Sequence, residues 1–223
     1  MKLDSLLKNR FTLLFIAVLL LVLVRPFMSG KLLFIAPFIM MILILGVLRT
    51  LSLSKPLIIA VVAISVAAVA LHFVSLFVTT STDNIDSSII FEIGSLGCYS
   101  VFLGMSILGL LSSVLSVNEV THDTLLGSLS AYLLVGILFA MLFRMVYILN
   151  PSEFAASVAP GMIPEFLYYS FTTLTTLGPG DISPLGPASR SLTTLEAIMG
   201  PVFLTVLVSR LVAHYVSQLE NEK

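Results

Sequence analysis

Charge is scarce in this chain. Of its 223 residues only 10% are Asp, Glu, Lys or Arg, whereas 58% are hydrophobic. The mean hydropathy of +1.11 lies far outside the range of a water-soluble domain of this length, so the sequence reads as an integral membrane protein. The eleven Lys and Arg form no basic patch, which argues against a nucleic-acid partner. Cysteine is scarcer still: Cys98 is the only one. No intrachain disulfide can form, and its place inside an apolar run makes the thiol a small core side chain. The three histidines are scattered, and neither HExxH nor GxSxG occurs. An intramembrane hydrolase would therefore lack its nucleophile and base, or its metal cluster.

What is abundant is apolar sequence in long runs. A helix needs about 20 such residues to cross the hydrocarbon core. Six segments qualify: 11–28, 32–48, 57–79, 89–115, 129–149 and 191–217. The first follows Lys2, Lys8 and Arg10 like a signal peptide, but Arg25 and Pro26 stand where small cleavage-site residues belong, so it reads as a retained span. Counting cations near span ends places both termini in the cytoplasm of a multi-pass cell-membrane protein. Lys2, Lys8, Arg10, Arg49, Lys55, Arg210 and Lys223 then lie inside, and Arg25, Lys31 and Arg190 outside. The acidic loop TSTDNIDSS after the third span suits the outside. No internal repeat, low-complexity tract or soluble ligand-binding domain is expected.

Between the fifth and sixth spans lies a segment too short and irregular to cross, so it must enter and leave on one side. Pro164 and Glu165 make a good helix start, because proline is tolerated in the first turn and a carboxylate there complements the helix dipole. The helix should stop as Gly178 approaches, within TTLTTLGPGD, residues 172–181. Alone, Gly-Pro-Gly-Asp is an ordinary turn. At membrane depth, non-helical backbone is tolerated only where it is buried in protein or lines a water-filled cavity. One strand cannot enclose such a cavity, but several copies around an axis can, with carbonyl oxygens replacing the hydration shell of a cation.

These residues resemble the pore loop of the potassium channel superfamily, whose filter signature is Thr-x-Gly-Tyr-Gly-Asp. The matching positions are Thr176, Leu177, Gly178, Pro179, Gly180 and Asp181. Tyr168 and Tyr169 match the paired aromatics of the family's pore helix, Thr175 and Thr176 its two threonines, and Gly200 its hinge glycine, here followed by Pro201. The close resemblance covers roughly residues 130–214.

The resemblance implies an all-α membrane protein with six transmembrane helices and a re-entrant pore helix and filter between the fifth and sixth. It divides the chain into a four-span membrane domain, 1–127, and a pore domain, 128–223. It also implies a homotetramer in the lipid bilayer that passes K+, with Na+ as a second candidate, through carbonyls of Thr176, Leu177, Gly178, Pro179 and Gly180. No cofactor is implied. Tyr168, Tyr169, Thr175 and Asp181 would support the filter, and Gly200 and Pro201 would form a gating hinge. Glycines at 178 and 180 would allow left-handed backbone there. Two other readings stay open: a non-conducting regulatory or structural subunit, for which Pro179 in place of tyrosine speaks, and an intramembrane enzyme.

The fourth span carries no Lys or Arg. That excludes an ordinary voltage sensor there, which needs several charges in the field. His72 and Glu92 lie inside spans without a second ligand at metal spacing, so they read as buried polar residues. Arg144, within the fifth span, is expected to snorkel to the interface or to pair with Glu165 or Glu196. His122 and Asp123 read as a solvated turn.

Overall fold

The computed structural model describes residues 10–27, 36–50, 55–81, 85–115, 121–156, 163–178 and 180–221. Among these, helices α1 (Arg10–Val24), α2 (Ala36–Thr50), α3 (Lys55–Ser81), α4 (Ile85–Leu115) and α5 (His122–Leu149) precede strand β1 (Phe154–Ala156). Helix α6 (Ile163–Leu174), strand β2 (Ile182–Pro184) and helix α7 (Pro187–Asn221) follow. Among the described residues, four helices are long and apolar enough to cross a membrane, at residues 58–78, 88–114, 122–149 and 187–210. Helices α1 and α2 have 15 residues each, about 22 Å at 1.5 Å per residue, less than the hydrocarbon thickness. Residues 28–35, which the second predicted span would use in part, lie outside the described residues.

Helix α5 is the hub: α1, α4, α6 and α7 all pack on it. Its start is set by Thr121, whose side-chain oxygen accepts the Thr124 amide at 3.2 Å. It ends at Asn150, in extended backbone ahead of Pro151, as the residue before a proline prefers. Lipid solvates apolar surface as well as a neighbouring helix does, so polar ties and close packing decide how the helices meet. Asp123, expected in a solvated turn, is one such tie. Its carboxylate accepts the Thr12 amide and hydroxyl, both at 2.9 Å, and so caps the amino end of α1 from another helix.

Arg144 supplies a second tie and corrects the sequence expectation. Its Nε and Nη2 donate to Oε1 of Glu92 at 3.1 and 2.9 Å, joining α5 to α4; of the expected partners, Glu196 meets Ser170 instead. Glu92 was visible in the sequence only as an isolated intramembrane acid, and the two residues are 52 positions apart. Arg25, counted as an outer flanking charge, is buried beyond the end of α1. His72 packs its ring edge-on to Tyr99 at 6.2 Å between centroids.

Candidate functional site: the 150–200 excursion

Between α5 and α7 the chain makes an excursion whose two ends are fastened together. Strand β1 pairs antiparallel with β2, in the register Phe154 to Pro184, Ala155 to Ser183 and Ala156 to Ile182. Next to this pair, buried Glu153 holds the start of α7. Its Oε2 accepts the Ser189 amide at 3.0 Å, while its backbone carbonyl accepts the Leu185 amide at 2.8 Å and the Ser189 hydroxyl at 2.7 Å. A carboxylate at a helix amino end satisfies an orphan donor and complements the dipole. Gly186 makes room for it, since a Cβ there would overlap the Glu153 carboxyl group. Neither the strands nor this cap were expected from sequence; three-residue strands are too short to show an alternating pattern.

Helix α6 begins where Pro164 and Glu165 suggested. It is seated in an aromatic nest built from α5, β1 and α6 itself. Tyr169 meets Phe143 edge-on at 4.8 Å and Phe154 at 5.6 Å, and Phe166 meets Phe154 at 5.3 Å and Tyr147 at 5.6 Å. Edge-to-face pairs of this kind add specific geometry to apolar burial. The paired tyrosines have different fates. Tyr169 is 0% exposed, its hydroxyl 2.7 Å from that of Thr193 on α7. Tyr168 is 48% exposed and shares a cleft of about 240 Å³ with Pro164, Glu165, Asp181 and Ile182.

The carbonyls at the end of α6 are accounted for within the chain. Phe171 O accepts the Thr175 amide at 3.0 Å, Thr172 O that of Gly178 at 2.9 Å, and Thr173 O that of Thr176 at 3.0 Å. Leu174 O accepts the Tyr132 hydroxyl from α5 at 3.2 Å. These closures turn the chain sharply, with Thr176 at φ 62° and Gly178 at φ 78°. Glycine at 178 suits that left-handed backbone. Thr176 is a non-glycine residue in the same region, where side chains are uncommon.

Beyond the helix end, Thr175, Thr176, Leu177, Gly178, Gly180 and Asp181 are all exposed, Leu177 at 77%. Among the described residues, the carbonyls of Thr175 through Gly178 accept no hydrogen bond. Pro179 lies outside the described residues. The excursion thus presents a short run of unclaimed carbonyl oxygens on a rigid support.

Below this run, α7 passes close behind α6. Gly200, fully within the helix, faces Leu174 so closely that a Cβ would overlap its carbonyl oxygen. Helix α7 continues through Pro201 to Asn221 without interruption. One turn before Gly200, Glu196 is 0% exposed and contacts the Ser170 hydroxyl of α6. Thr193, Glu196 and Gly200 of α7 therefore face Tyr169, Ser170 and Leu174 of α6 in step. Most other apolar side chains of α7, among them Leu195, Ile198, Val202 and Val206, are exposed on the single chain.

Residues 129–217 match the model of a family described as "Ion channel". The inward rectifier potassium channel Kirbac3.1 of Paramagnetospirillum magnetotacticum is 30% identical over 102 residues, 46% of this chain and 32% of that protein. Two pore potassium channel c of Oryza sativa subsp. japonica is 31% identical over 94 residues, 42% of this chain and 19% of that protein. The chain thus spans about a third and about a fifth of the lengths of these two relatives. Both relatives are channels rather than enzymes. No solved structure matches the chain. With its filter-like run carried on the tied excursion, the 129–217 segment is thus similar to ion channels, and both of these relatives are potassium channels.

Proposed function

We propose that four copies of this chain surround a pore that conducts K+, with Na+ as a second permeant ion. Thr176, Leu177, Gly178, Pro179 and Gly180 form its filter, and Tyr168, Tyr169, Thr175 and Asp181 support it. The observation that carries this reading is the exposed, unclaimed run of carbonyls at Thr175 to Gly178, held at the end of a helix that is itself fully buried on its other side. A single copy leaves that run facing open space. A ring of four gives each carbonyl level a common centre, where the oxygens replace a cation's hydration shell. The bare apolar face of α7 supports assembly in the same way, since it would line the pore and meet neighbouring copies.

In this reading α6 re-enters the bilayer from outside, and β1 and β2 tie the outer ends of the excursion. Helices α1 and α2 complete six spans, and both termini are cytoplasmic. The domain 1–127 is a scaffold without voltage-sensing arginines, and Gly200 with Pro201 forms the gating hinge. The experiment is ion flux and reversal potential in liposomes carrying the purified protein, with mass measurement in nanodiscs. A stable monomer would remove the pore. A tetramer that passes no ion would favour the non-conducting subunit, the reading for which Pro179 speaks.

A further inference from the structure

Ser170 stands between two oxygen atoms that compete for it. Its Oγ is 2.7 Å from the carbonyl oxygen of Gly136 on α5 and in hydrogen-bond contact with Oε1 of Glu196 on α7. A serine hydroxyl has one hydrogen to give. A backbone carbonyl accepts only, and an ionised carboxylate accepts only, so with Glu196 charged one of the two contacts has no hydrogen in it. A neutral Glu196 closes the count. Its O–H donates to Ser170 Oγ, and the Ser170 O–H donates to Gly136 O. The surroundings agree, because Glu196 is wholly buried and its Oε2 has no hydrogen-bond partner among the described residues. The titratable groups that face it are Tyr132 of α5 and Tyr169 of α6, neither of them a cation. An ionised carboxylate without a donor or counter-charge is costly in such a site.

We propose that Glu196 is a positioning residue of the pore. As a neutral carboxylic acid it clamps α6 to both α5 and α7 through Ser170, and thereby holds the filter at the spacing that sets its ion selectivity. This rests on the conducting reading above. The Ser170 hydroxyl lies one helical turn before Leu174, the last residue of α6, so slack in the clamp reaches the filter base directly. Glutamine can replace a neutral acid here, since its amide N–H donates to Ser170 Oγ in the same place. It cannot replace a carboxylate's charge.

The test compares Glu196→Gln, Glu196→Ala and Ser170→Ala in the full-length protein reconstituted in liposomes, reading the K+ to Na+ permeability ratio against pH. Loss of one hydrogen bond in the clamp should change the ratio roughly two- to tenfold in Glu196→Ala and Ser170→Ala. Glu196→Gln should keep the parent ratio and also abolish any loss of selectivity that the parent shows as the pH is raised. A Glu196→Gln channel that behaves like Glu196→Ala, or an Ala variant that leaves the ratio untouched, overturns the proposal. Infrared difference spectra of parent minus Glu196→Gln at neutral pH give a second, independent decision. A protonated-carboxyl band in the difference supports the neutral acid, and a carboxylate band in its place overturns it. That measurement needs no current, so a parent protein that conducts nothing defeats the pore reading and still leaves the clamp decided.

Discussion

The carbonyl of Leu174 rests against the backbone of Gly200, closely enough that the smallest side chain at position 200 would overlap its oxygen. The same carbonyl accepts the Tyr132 hydroxyl. The end of α6 is therefore fixed from α5 by a hydrogen bond and from α7 by contact. A hinge at Gly200 on its own predicts that Gly200→Ala shifts open probability and leaves selectivity alone. The contact adds a second effect, because the methyl group must push α6 or α7 aside, and overpacking of this kind costs about 1–3 kcal/mol. Gly200→Ala should thus change both open probability and reversal potential in single-channel and bi-ionic recordings. An effect on open probability alone would assign Gly200 to the hinge and remove the contact from the account.

Glu92 and Arg144 bind α4 to α5, the helix on which α6 is seated. Their side chains are 28% and 14% exposed, so the pair is partly rather than wholly removed from solvent or lipid headgroups. Breaking it from one side leaves an intramembrane charge without this partner, at roughly 1–3 kcal/mol. Glu92→Gln and Arg144→Gln should each lower the thermal stability of the protein in nanodiscs. The double variant should cost clearly less than the two single losses together. Strict additivity in that cycle would mean that the pair carries no coupling.

How much of this was legible follows from what an apolar run can say. Runs of hydrophobic residues disclosed the long helices, and local chemistry disclosed α6 and its end: Pro164 and Glu165 at the start, Gly178 at the turn. These signals are short-range and need no partner. The ties were hidden because their halves lie far apart in the chain: Asp123 with Thr12, Arg144 with Glu92, Glu196 with Ser170. A helix that is apolar on every side gives no indication of which face meets which neighbour, since lipid and protein accept the same residues. Glu196 could have been singled out as a lone acid four residues before Gly200. Its count of donors could not, because that needs Gly136 and Ser170 in one place.

Glu153 and Gly186 should prove mutually dependent. The Glu153 carboxylate caps α7 through the Ser189 amide, and Gly186 vacates the space it fills. Gly186→Ala should therefore displace the carboxylate and lose the cap, at about 1–2 kcal/mol. Glu153→Ala should lose the same cap but relieve the collision. The combination of Glu153→Ala with Gly186→Ala is expected to be no less stable than Gly186→Ala alone in thermal unfolding. A double variant with the full sum of both losses would show that the two residues act separately.

Pro179 takes the place of tyrosine in the filter signature that this chain resembles, and its replacement tests what the proline does. Proline keeps its carbonyl, so a coordinating oxygen is retained, but it lacks an amide hydrogen and a phenol. In the family pattern that phenol ties the filter to the aromatic pore helix. Of the two tyrosines on α6, Tyr169 is already buried and paired with Thr193, whereas Tyr168 is half exposed in a cleft shared with Asp181. A tyrosine at 179 would therefore find its support on the Tyr168 side or on a neighbouring copy. In the proposed filter the absence of that phenol would leave the outer part with fewer fixed sites, while Thr176 and Gly178 are held through their amides at the carbonyls of Thr173 and Thr172. The parent channel should accordingly discriminate only modestly between K+ and Na+, and Pro179→Tyr should raise the K+ to Na+ permeability ratio in reversal-potential measurements. A parent ratio that is already high and unchanged by the substitution would make the proline neutral.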